Sequence, residues 1–562
     1  MKTTAITVII AVLIIWGLFF LMIVRAKLEN RKNVHERIKN SWGNQNPRLF
    51  SADQMNLVRQ YSDSLPGPGV DDITANDLDL TSVYGRICGA FSSAGEEVLY
   101  AWLRHPLTEE DRIRERSALI RHFEEDEEAR GKILAILSEL SYVRGNSFYG
   151  YIRTLDHAEP IGTARFIAAS FATLAALVML FFFPLPAVIA LTVLLFFDYQ
   201  LHIGMKEKTS ASLKGFHTIL RLMDAAEKIA ALPDPALSSV KKDLTEILGR
   251  FRVVRRGAFM LMSAGAVGTG LGDAVLEYIC LFFHPDLILY DRMLSLMKMH
   301  GEDSVRLLEL TGSLDAAVSA ASYRAGVQVF TEPCFVKSGD LFLHAEGLVH
   351  PLIQNPVPNS IQADRAVLFT GSNASGKSTF LKASALAALM GQSICTVLAE
   401  SYRAPLFRVM TSMSLTDDVS GGDSYFMAEI KSLRRIFDEA DEEGPPVFAL
   451  IDEVLRGTNT TERIAASSQI LKKMAQMPGL LVFAATHDLE LTFLLEEICE
   501  NMHFEEHVEG DDIRFDYLLR EGRANTRNAI LLLKLIGYDD DLTENASQMA
   551  SRFEKEGSWT LV

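Results

Sequence analysis

Apolar residues are concentrated in two long stretches in the N-terminal half of the chain. The first, Ala5 to Val24, contains no charged residue, and it is long enough to cross ~30 Å of hydrocarbon as a helix. Lys2 precedes it and basic residues follow from Arg25 onward. The positive-inside rule therefore predicts a membrane anchor with its N-terminus outside and the rest of the chain in the cytoplasm. The alternative is a cleaved signal peptide, whose apolar region would be unusually long and lack a small-x-small cleavage site.

The second apolar stretch, Phe166 to Phe197, is interrupted by the sequence Pro184-Leu185-Pro186. A single helix of this length would measure ~48 Å, too long for one crossing without extreme tilt. We therefore expect two helices joined by a tight turn. Arg165 precedes the pair and Lys206 follows it, which predicts a transmembrane hairpin with both ends in the cytoplasm. A buried hairpin in a soluble core is the alternative, and the absence of charge in the first arm argues against it.

A third candidate, Gly257 to Phe283, is rich in glycine and contains Asp273 and Glu277. We interpret it as a buried helix of a soluble domain rather than a membrane span. The sequence thus predicts about three crossings in a multi-pass protein of the cell membrane.

The composition of the whole chain limits the possible classes of protein. Its 562 residues include 55 Lys and Arg against 72 Asp and Glu, which gives a formal charge of −17, and 48% are hydrophobic. This length allows three or four domains. The five Cys are scattered without a CxxC pair, so structural zinc has no support and a reducing compartment is expected. The acidic balance argues against non-specific coating of nucleic acid, because phosphate binding needs clustered Lys and Arg.

A phosphate-binding loop follows a short apolar stretch, Ala366 to Thr370, that predicts a buried strand. The pattern GxxxxGK[ST] begins directly after it, and a helix is expected from near Thr379. Backbone N–H groups of such a loop surround phosphates at the positive end of a helix dipole. Lys377 should reach the β and γ phosphates of ATP, and the Ser378 hydroxyl should bind Mg²⁺. The predicted nucleotide-binding residues are Gly371, Ser372, Asn373, Ala374, Ser375, Gly376, Lys377, Ser378 and Thr379.

Two further strands end in polar residues. Val447 to Ile451 leads into Asp452, which we expect to hold Mg²⁺, and Glu453, which we expect to orient the attacking water. The strand from Leu480 to Ala485 precedes His487. That histidine is placed to sense the γ phosphate, and a capping or core histidine is the alternative. Lys377, Glu453 and His487 are therefore the predicted catalytic residues.

A Gly-rich segment, Ser420 to Glu429, lies between the first two strands and precedes a predicted helix. Its free N–H groups offer a second anion site. Because the first site already has its own loop, Ser424 is predicted to reach the γ phosphate bound by a neighbouring subunit. This hypothesis implies a homodimer; a plain loop–helix junction is the alternative.

These residues resemble the MutS family of ABC-superfamily ATPases. The resemblance covers about 200 residues and rests on the segments 370–382, 423–429, 450–459, 485–491, 515–522, 350–353 and 357–359. Thr370 to Lys382 is similar to the pattern TGxNxxGKSTxxR, and Asp423 to Glu429 is similar to SxFxxE. A weaker resemblance at Ser92 to Leu107, with Arg116, concerns the start of the MutS core helices. The resemblance implies ATP and Mg²⁺ as ligands, a dimer with shared sites, and a role in binding mismatched DNA.

The expected fold is an α/β P-loop ATPase domain at the C-terminus, preceded by an all-α core and lever domain with transmembrane helices. The predicted segments are an anchor (1–26), a cytoplasmic linker (27–73), the first core helices (74–164), the hairpin (165–205), further core and lever helices (206–330), the ATPase domain (331–545) and a tail (546–562). No segment fits a mismatch-reading domain. The hairpin occupies the region in which DNA-repair members carry a DNA clamp, so we expect it to replace the clamp and to contact membrane lipid.

Three functions are compatible with these motifs. The first is a membrane-anchored, dimeric, MutS-like ATPase, to which family resemblance adds DNA binding and repair. The second is half of an ABC transporter, although its signature would lie closer to Asp452. The third is a membrane scaffold whose assembly depends on ATP without rapid hydrolysis.

Overall fold

The computed structural model describes Arg25, Glu29, and residues 32–252 and 278–556, except positions 35, 45, 68, 144, 338, 340, 373–374, 414–424, 457, 510–511, 525–529, 531–532 and 534–535. The predicted anchor, Ala5 to Val24, lies outside the described residues, as does most of the third candidate, of which residues 278–283 are helical. Contacts divide the chain into two compact units. The first contains residues 1–66, 87–101 and 118–326, and the second contains residues 67–86, 102–117 and 327–562.

The described part of the first unit is helical. Its helices are α1 (Ala52–Ser62), α4 (Ser93–Arg104), α5 (Glu110–Glu125), α6 (Glu127–Leu140), α7 (Phe148–His157), α8 (Ala164–Met179), α9 (Pro184–Ala230), α10 (Ser238–Arg250), α11 (Pro285–Met299) and α12 (Gly301–Gly326). The last residues of α4 and the first residues of α5 belong to the second unit. Helix α12 is buried over most of its length. Its Asp315 accepts hydrogen bonds from the backbone N–H groups of Phe91 and Ser92, and from the Ser92 hydroxyl at 2.6 Å. A carboxylate from α12 therefore satisfies donors at the start of α4.

The predicted hairpin is present as α8 and α9, joined by residues 180–183. Helix α9 has 47 residues, a length of ~70 Å. Its apolar first part extends from the turn, and its later part packs in the core of the unit through side chains such as Phe216 and Met223. The expectation of several membrane-crossing helices is not supported. Within the described residues, only Pro184–Met205 is long and apolar enough to cross a membrane, and Ala164–Met179 is apolar but shorter.

The second unit contains two sheets. Its strands are β1 (Cys334–Phe335), β2 (Leu343–Leu348), β3 (Asn359–Ala363), β4 (Val367–Thr370), β5 (Ser401–Ala404), β6 (Arg408–Ser412), β7 (Val447–Asp452), β8 (Leu480–Ala485), β9 (Glu500–Glu509) and β10 (Asp512–Glu521). The larger sheet has the order β10-β9-β4-β8-β7-β6 and the smaller one β1-β5-β2-β3. In the larger sheet only the β9–β10 pair is antiparallel. This arrangement agrees with the expected α/β ATPase domain.

The helices of this unit include two short ones from the N-terminal half of the chain. They are α2 (Asp72–Asp77), α3 (Leu80–Ile87, whose last residue belongs to the first unit), α13 (Lys377–Ile394), α14 (Tyr425–Ala440), α15 (Thr460–Ala475), α16 (Leu489–Leu494) and α17 (Asp540–Glu556). The side chain of Asp77 in α2 accepts hydrogen bonds from the Thr411 hydroxyl at 2.6 Å and from the Met413 N–H at 3.0 Å. Buried hydrogen bonds thus attach α2 to the edge strand β6. The contacts therefore divide the chain differently from the predicted boundaries 73/74 and 330/331.

Candidate active site

Three parallel strands bring the predicted catalytic segments to one edge of the larger sheet. Strand β8 lies between β4 and β7, and Ala485 at its end pairs with both Phe369 and Asp452. The chain leaves each of these strands at this edge. Residues far apart in the sequence therefore meet there because the carboxyl ends of neighbouring parallel strands coincide.

The loop after β4 has a backbone that only glycine adopts readily. Gly371 has φ of +142° and Gly376 has φ of +111°, values that strain a residue with a side chain. A Cβ atom on Gly371 would also lie 2.7 Å from the backbone oxygen of Phe504. Helix α13 begins at Lys377, so the loop presents its N–H groups at the positive end of a helix of 18 residues.

Lys377 is buried beneath this loop. Its Nζ atom donates to the backbone oxygens of Gly371 at 2.7 Å and of Ser372 at 2.8 Å. Burial lowers the pKa of Lys377, while the nearby carboxylates of Asp452 and Glu453 act in the opposite direction. The side chain is therefore a buried cation surrounded by acidic groups, which suits it to neutralise phosphate oxygens.

The other predicted nucleotide-binding residues of the loop differ in burial and in hydrogen-bond partners. The hydroxyl of Ser375 is buried, and it has no hydrogen-bond partner within the part of the chain that the structure describes. The hydroxyl of Ser372 donates to the Glu506 carboxylate at 2.8 Å. Ser378 is half-buried and Thr379 is exposed in the first turn of α13. Asn373, Ala374 and Ser424 lie outside the described residues.

Each carboxylate oxygen of Glu453 contacts a neighbouring side chain. The Nε2 atom of His487 lies 2.7 Å from Oε1, and the Nε atom of Arg456 lies 2.7 Å from Oε2. The hydrogen bond from His487 is the main reason that the pKa of Glu453 is lowered, and the charge of Arg456 acts in the same direction. The geometry thus brings together Lys377, Asp452, Glu453 and His487, and it adds Arg456.

The backbone after β7 is strained. Glu453 and Leu455 have φ of +64° and +61°, which costs of the order of 1–3 kcal/mol per residue. The buried carboxylate of Glu429, on α14, accepts hydrogen bonds from the N–H groups of Leu455 at 2.5 Å and Arg456 at 3.3 Å. Burial raises the pKa of Glu429. This residue was visible in the sequence only as the end of a motif, and its role depends on a contact between distant segments.

A pocket of about 340 Å³ adjoins the phosphate loop at Gly376, and His350, Phe504 and Tyr517 are among the residues that line it. Burial, together with the charge of Lys382, lowers the pKa of His350 to about 4, and its Nδ1 atom accepts the Leu352 N–H at 3.2 Å. The ring is therefore neutral at physiological pH. These aromatic walls suit a planar ring, a role that no local sequence pattern predicted for these residues.

Comparison with known proteins adds independent information. Residues 367–554 match the family model described as MutS domain V. A DNA mismatch repair protein MutS 2 of Halobacterium salinarum is 29% identical over 272 residues, which are 46% of this chain and 31% of that protein. A DNA mismatch repair protein MutS of Thermotoga petrophila is 31% identical over 266 residues, 46% of this chain and 32% of that protein. The chain thus spans about a third of the length of the curated relatives it matches.

Proposed function

The chain belongs to the MutS family through its domain V, and from this premise we propose that it binds and hydrolyses ATP at the carboxyl edge of the larger sheet. The observation that carries the proposal is the meeting of Lys377, Asp452, Glu453 and His487 beside a glycine loop. Each of these groups has a part in phosphoryl transfer to water.

The phosphates of ATP would lie against the loop between Gly371 and Ser378. The hydroxyl of Ser375 is buried without a hydrogen-bond partner among the described residues, and the ammonium group of Lys377 is bonded to the loop backbone, which suits both groups to phosphate oxygens. Ser378 and Asp452 would hold Mg²⁺, and within the described residues no group of three or more ligating side chains forms a metal cage. Mg²⁺ is commonly bound by one or two protein oxygens and the phosphates, and it would neutralise the charge that develops there.

Glu453 would orient the water that attacks the γ phosphate. Because hydrogen bonds and charge keep its pKa low, the carboxylate is ionised at neutral pH and accepts a hydrogen bond from water. His487, bonded to the same carboxylate, would fix its direction. The pocket beside Gly376 would take the base between its aromatic walls, since ring stacking contributes ~1–3 kcal/mol per base.

We further propose that two chains form a dimer in which Ser424 of one chain completes the site of the other. Mixing two inactive variants tests this arrangement. Lys377→Ala removes the phosphate cation, and Ser424→Arg blocks the predicted contact in trans. The mixture should regain ATPase activity, because a heterodimer keeps one site with an intact Lys377 and an intact Ser424. If the mixture stays inactive while both variants still dimerise, the shared-site proposal is wrong.

DNA binding does not follow from ATP hydrolysis. The relatives are named as DNA mismatch repair proteins, but the matched segments cover only about a third of their length. The formal charge of −17 is unfavourable for contact with phosphates. We propose that hydrolysis responds to membrane lipid rather than to mismatched DNA. Measuring ATPase rates with duplex DNA, mismatched DNA and lipid vesicles tests this, and stimulation by mismatched DNA alone would contradict it.

We also propose that the protein works on the cytoplasmic side of a membrane, with the N-terminal stretch as an anchor. The hairpin of the first unit supports a membrane location, because its apolar side chains are exposed. The scaffold alternative would appear as tight ATP binding with negligible turnover.

A further inference from the structure

We propose that the α8–α9 hairpin enters a lipid bilayer tip first and ends within it, without crossing to the far side. The proposal concerns a lipid contact of the first unit and does not depend on ATP hydrolysis. It differs from the transmembrane hairpin expected from the sequence. Four features of the hairpin carry it: its exposed apolar surface, its bonded turn, its inward polar groups and its length.

The surface of the hairpin is apolar on both arms and at the tip. Phe171 on α8 is 68% exposed, Phe181 in the turn is 87% exposed, and Phe196 on α9 is 67% exposed. Single exposed apolar residues are ordinary on soluble proteins, but a continuous patch of this kind marks an interaction surface. A helix that is apolar around its circumference is suited to hydrocarbon.

The turn has the character of a segment that stays in hydrocarbon. Residues 180–186 are all apolar, whereas a turn that emerged on the far side would lie in water. The N–H groups of Phe181, Phe182 and Phe183 donate to carbonyls of the last turn of α8. Pro184 and Pro186 have no N–H group to satisfy. Irregular backbone in hydrocarbon is costly when its polar groups are unpaired, and this turn largely avoids that cost.

The polar side chains of the hairpin are bonded within the hairpin or, through Ser170 and Asp198, to residues 283 and 284. The hydroxyl of Thr173 on α8 donates to Oδ2 of Asp198 on α9 at 2.7 Å, and both side chains are 1% exposed. The Thr192 hydroxyl donates to the Val188 carbonyl at 2.9 Å. A carboxylate that faced lipid would be strongly unfavourable, so the inward position of Asp198 keeps the outer surface apolar. It also links the two arms, as polar residues do between membrane helices.

The first arm of the hairpin is too short for a crossing. From Arg165 to Met179 along α8 the distance is ~21 Å, compared with ~30 Å of hydrocarbon, although the apolar part of α9, Pro184–Met205, is longer. At the base of the two arms Arg165 and Lys208 are exposed, at positions where they would meet anionic lipid headgroups. The hairpin therefore fits a bilayer that it enters from one side.

Nitroxide labels in the full-length protein measure this directly. Cys334, an exposed cysteine, is replaced by Ser, since the other four cysteines are buried. Single cysteines are then introduced at Ile203, Phe196 or Phe182, which are all exposed, and labelled in vesicles of phosphatidylcholine and phosphatidylglycerol. The depth of each label in the bilayer is measured from its accessibility to oxygen, which is concentrated in hydrocarbon, relative to its accessibility to a nickel chelate, which stays in water. We expect depth to increase steadily from position 203 through 196 to 182.

Each other outcome overturns the proposal. A label at position 182 that is shallower than the label at 196 means that the hairpin crosses the bilayer. Labels that are all accessible to the nickel chelate mean that the hairpin stays in water, and spin–spin broadening without lipid contact means that it pairs with a second copy. ATPase activity measured on the same samples reports separately on the nucleotide site, so the two proposals fail independently.

A charge at the tip gives a second test. Phe182→Lys would place an ammonium group at the deepest point, whereas Ile203→Lys, the matched control, would place it near the headgroups. We expect Phe182→Lys to bring a label at position 196 into water and Ile203→Lys to leave it in lipid. Equal tolerance of both changes would contradict insertion that ends within the bilayer.

Discussion

The Nε2 atom of His487 lies 2.7 Å from Oε1 of Glu453, and it joins the ends of two neighbouring strands. This contact is the largest cause of the lowered pKa of Glu453. It therefore connects the predicted γ-phosphate sensor with the carboxylate that orients water. The consequence is a defined pH dependence.

Replacing His487 by Ala should shift the acid limb of the ATPase pH profile to higher pH. Glu453 acts in its ionised form, so activity is lost as pH falls through its pKa. Removing the hydrogen bond raises that pKa, and activity is then lost earlier on acidification. The change is followed by measuring kcat as a function of pH. His487→Gln keeps a side-chain donor and is the matched control; an unshifted acid limb in the Ala variant would contradict the assigned contact.

Replacing Glu429 by Ala should destabilise the loop after β7. The N–H groups of Leu455 and Arg456 would lose their acceptor, at a cost of ~1–3 kcal/mol. Glu429→Gln keeps one oxygen, and the oxygen Oε2 of Glu429 has no partner among the described residues, so this variant should remain close to the wild type. Thermal unfolding and kcat are the measurements. Wild-type stability and kcat in the Glu429→Ala variant would contradict a role for these hydrogen bonds.

Replacing Tyr517 by Ala should weaken ATP binding. Its ring lines the pocket beside Gly376, and loss of a stacking ring costs ~1–3 kcal/mol, which corresponds to roughly a 5- to 150-fold increase in KM. We expect kcat to change little, because Tyr517 does not contact the catalytic carboxylates. Tyr517→Phe keeps the ring and should behave as the wild type. An unchanged KM in the Ala variant would place the base elsewhere.

The sequence predicted the parts of the site that are local. A glycine loop between a strand and a helix, and acidic residues directly after an apolar strand, have spacings that determine their position. The roles of Glu429 and Tyr517 depend on contacts across the fold. Tyr517 lies where the register of β9 and β10 shifts, between Phe515 and Leu519, and no local pattern encodes that irregularity.

The helical part of the chain shows the same limit. An amphipathic pattern predicts a helix but does not specify which surface covers its apolar face. The predicted boundary at 73/74 therefore falls inside helix α2, although the side chain of Asp77 in this helix is hydrogen-bonded to β6. The short apolar arm of the hairpin was visible in the sequence, but the inward direction of Asp198 was not.

Stability of the first unit should fall as pH rises toward 8. The carboxyl group of Glu97 is buried and accepts hydrogen bonds from the N–H groups of Phe148 and Tyr149. Burial raises the pKa of Glu97 from 4.5 to about 8. Between these values the folded chain keeps a proton that the unfolded chain has lost. Stability therefore decreases with pH, by at most about 1.4 kcal/mol per pH unit for one group.

Replacing Glu97 by Gln removes this titration. The melting temperature should then fall less between about pH 6 and about pH 8 than in the wild type. Glu125→Gln changes an exposed carboxylate of the same unit and should leave the slope unchanged. The same slope in all three proteins would contradict a protonated Glu97.

The central claim, that Glu453 orients the water that hydrolyses ATP, is tested most directly by single-turnover hydrolysis in the Glu453→Gln variant. Gln keeps the shape of the side chain but lacks the negative charge that attracts and polarises the water. Glu443→Gln, an exposed change in the same unit, serves as the control. We predict that Glu453→Gln still binds ATP and holds the dimer together while its hydrolysis rate falls ~10²-fold or more. Turnover at the rate of the control would contradict the account.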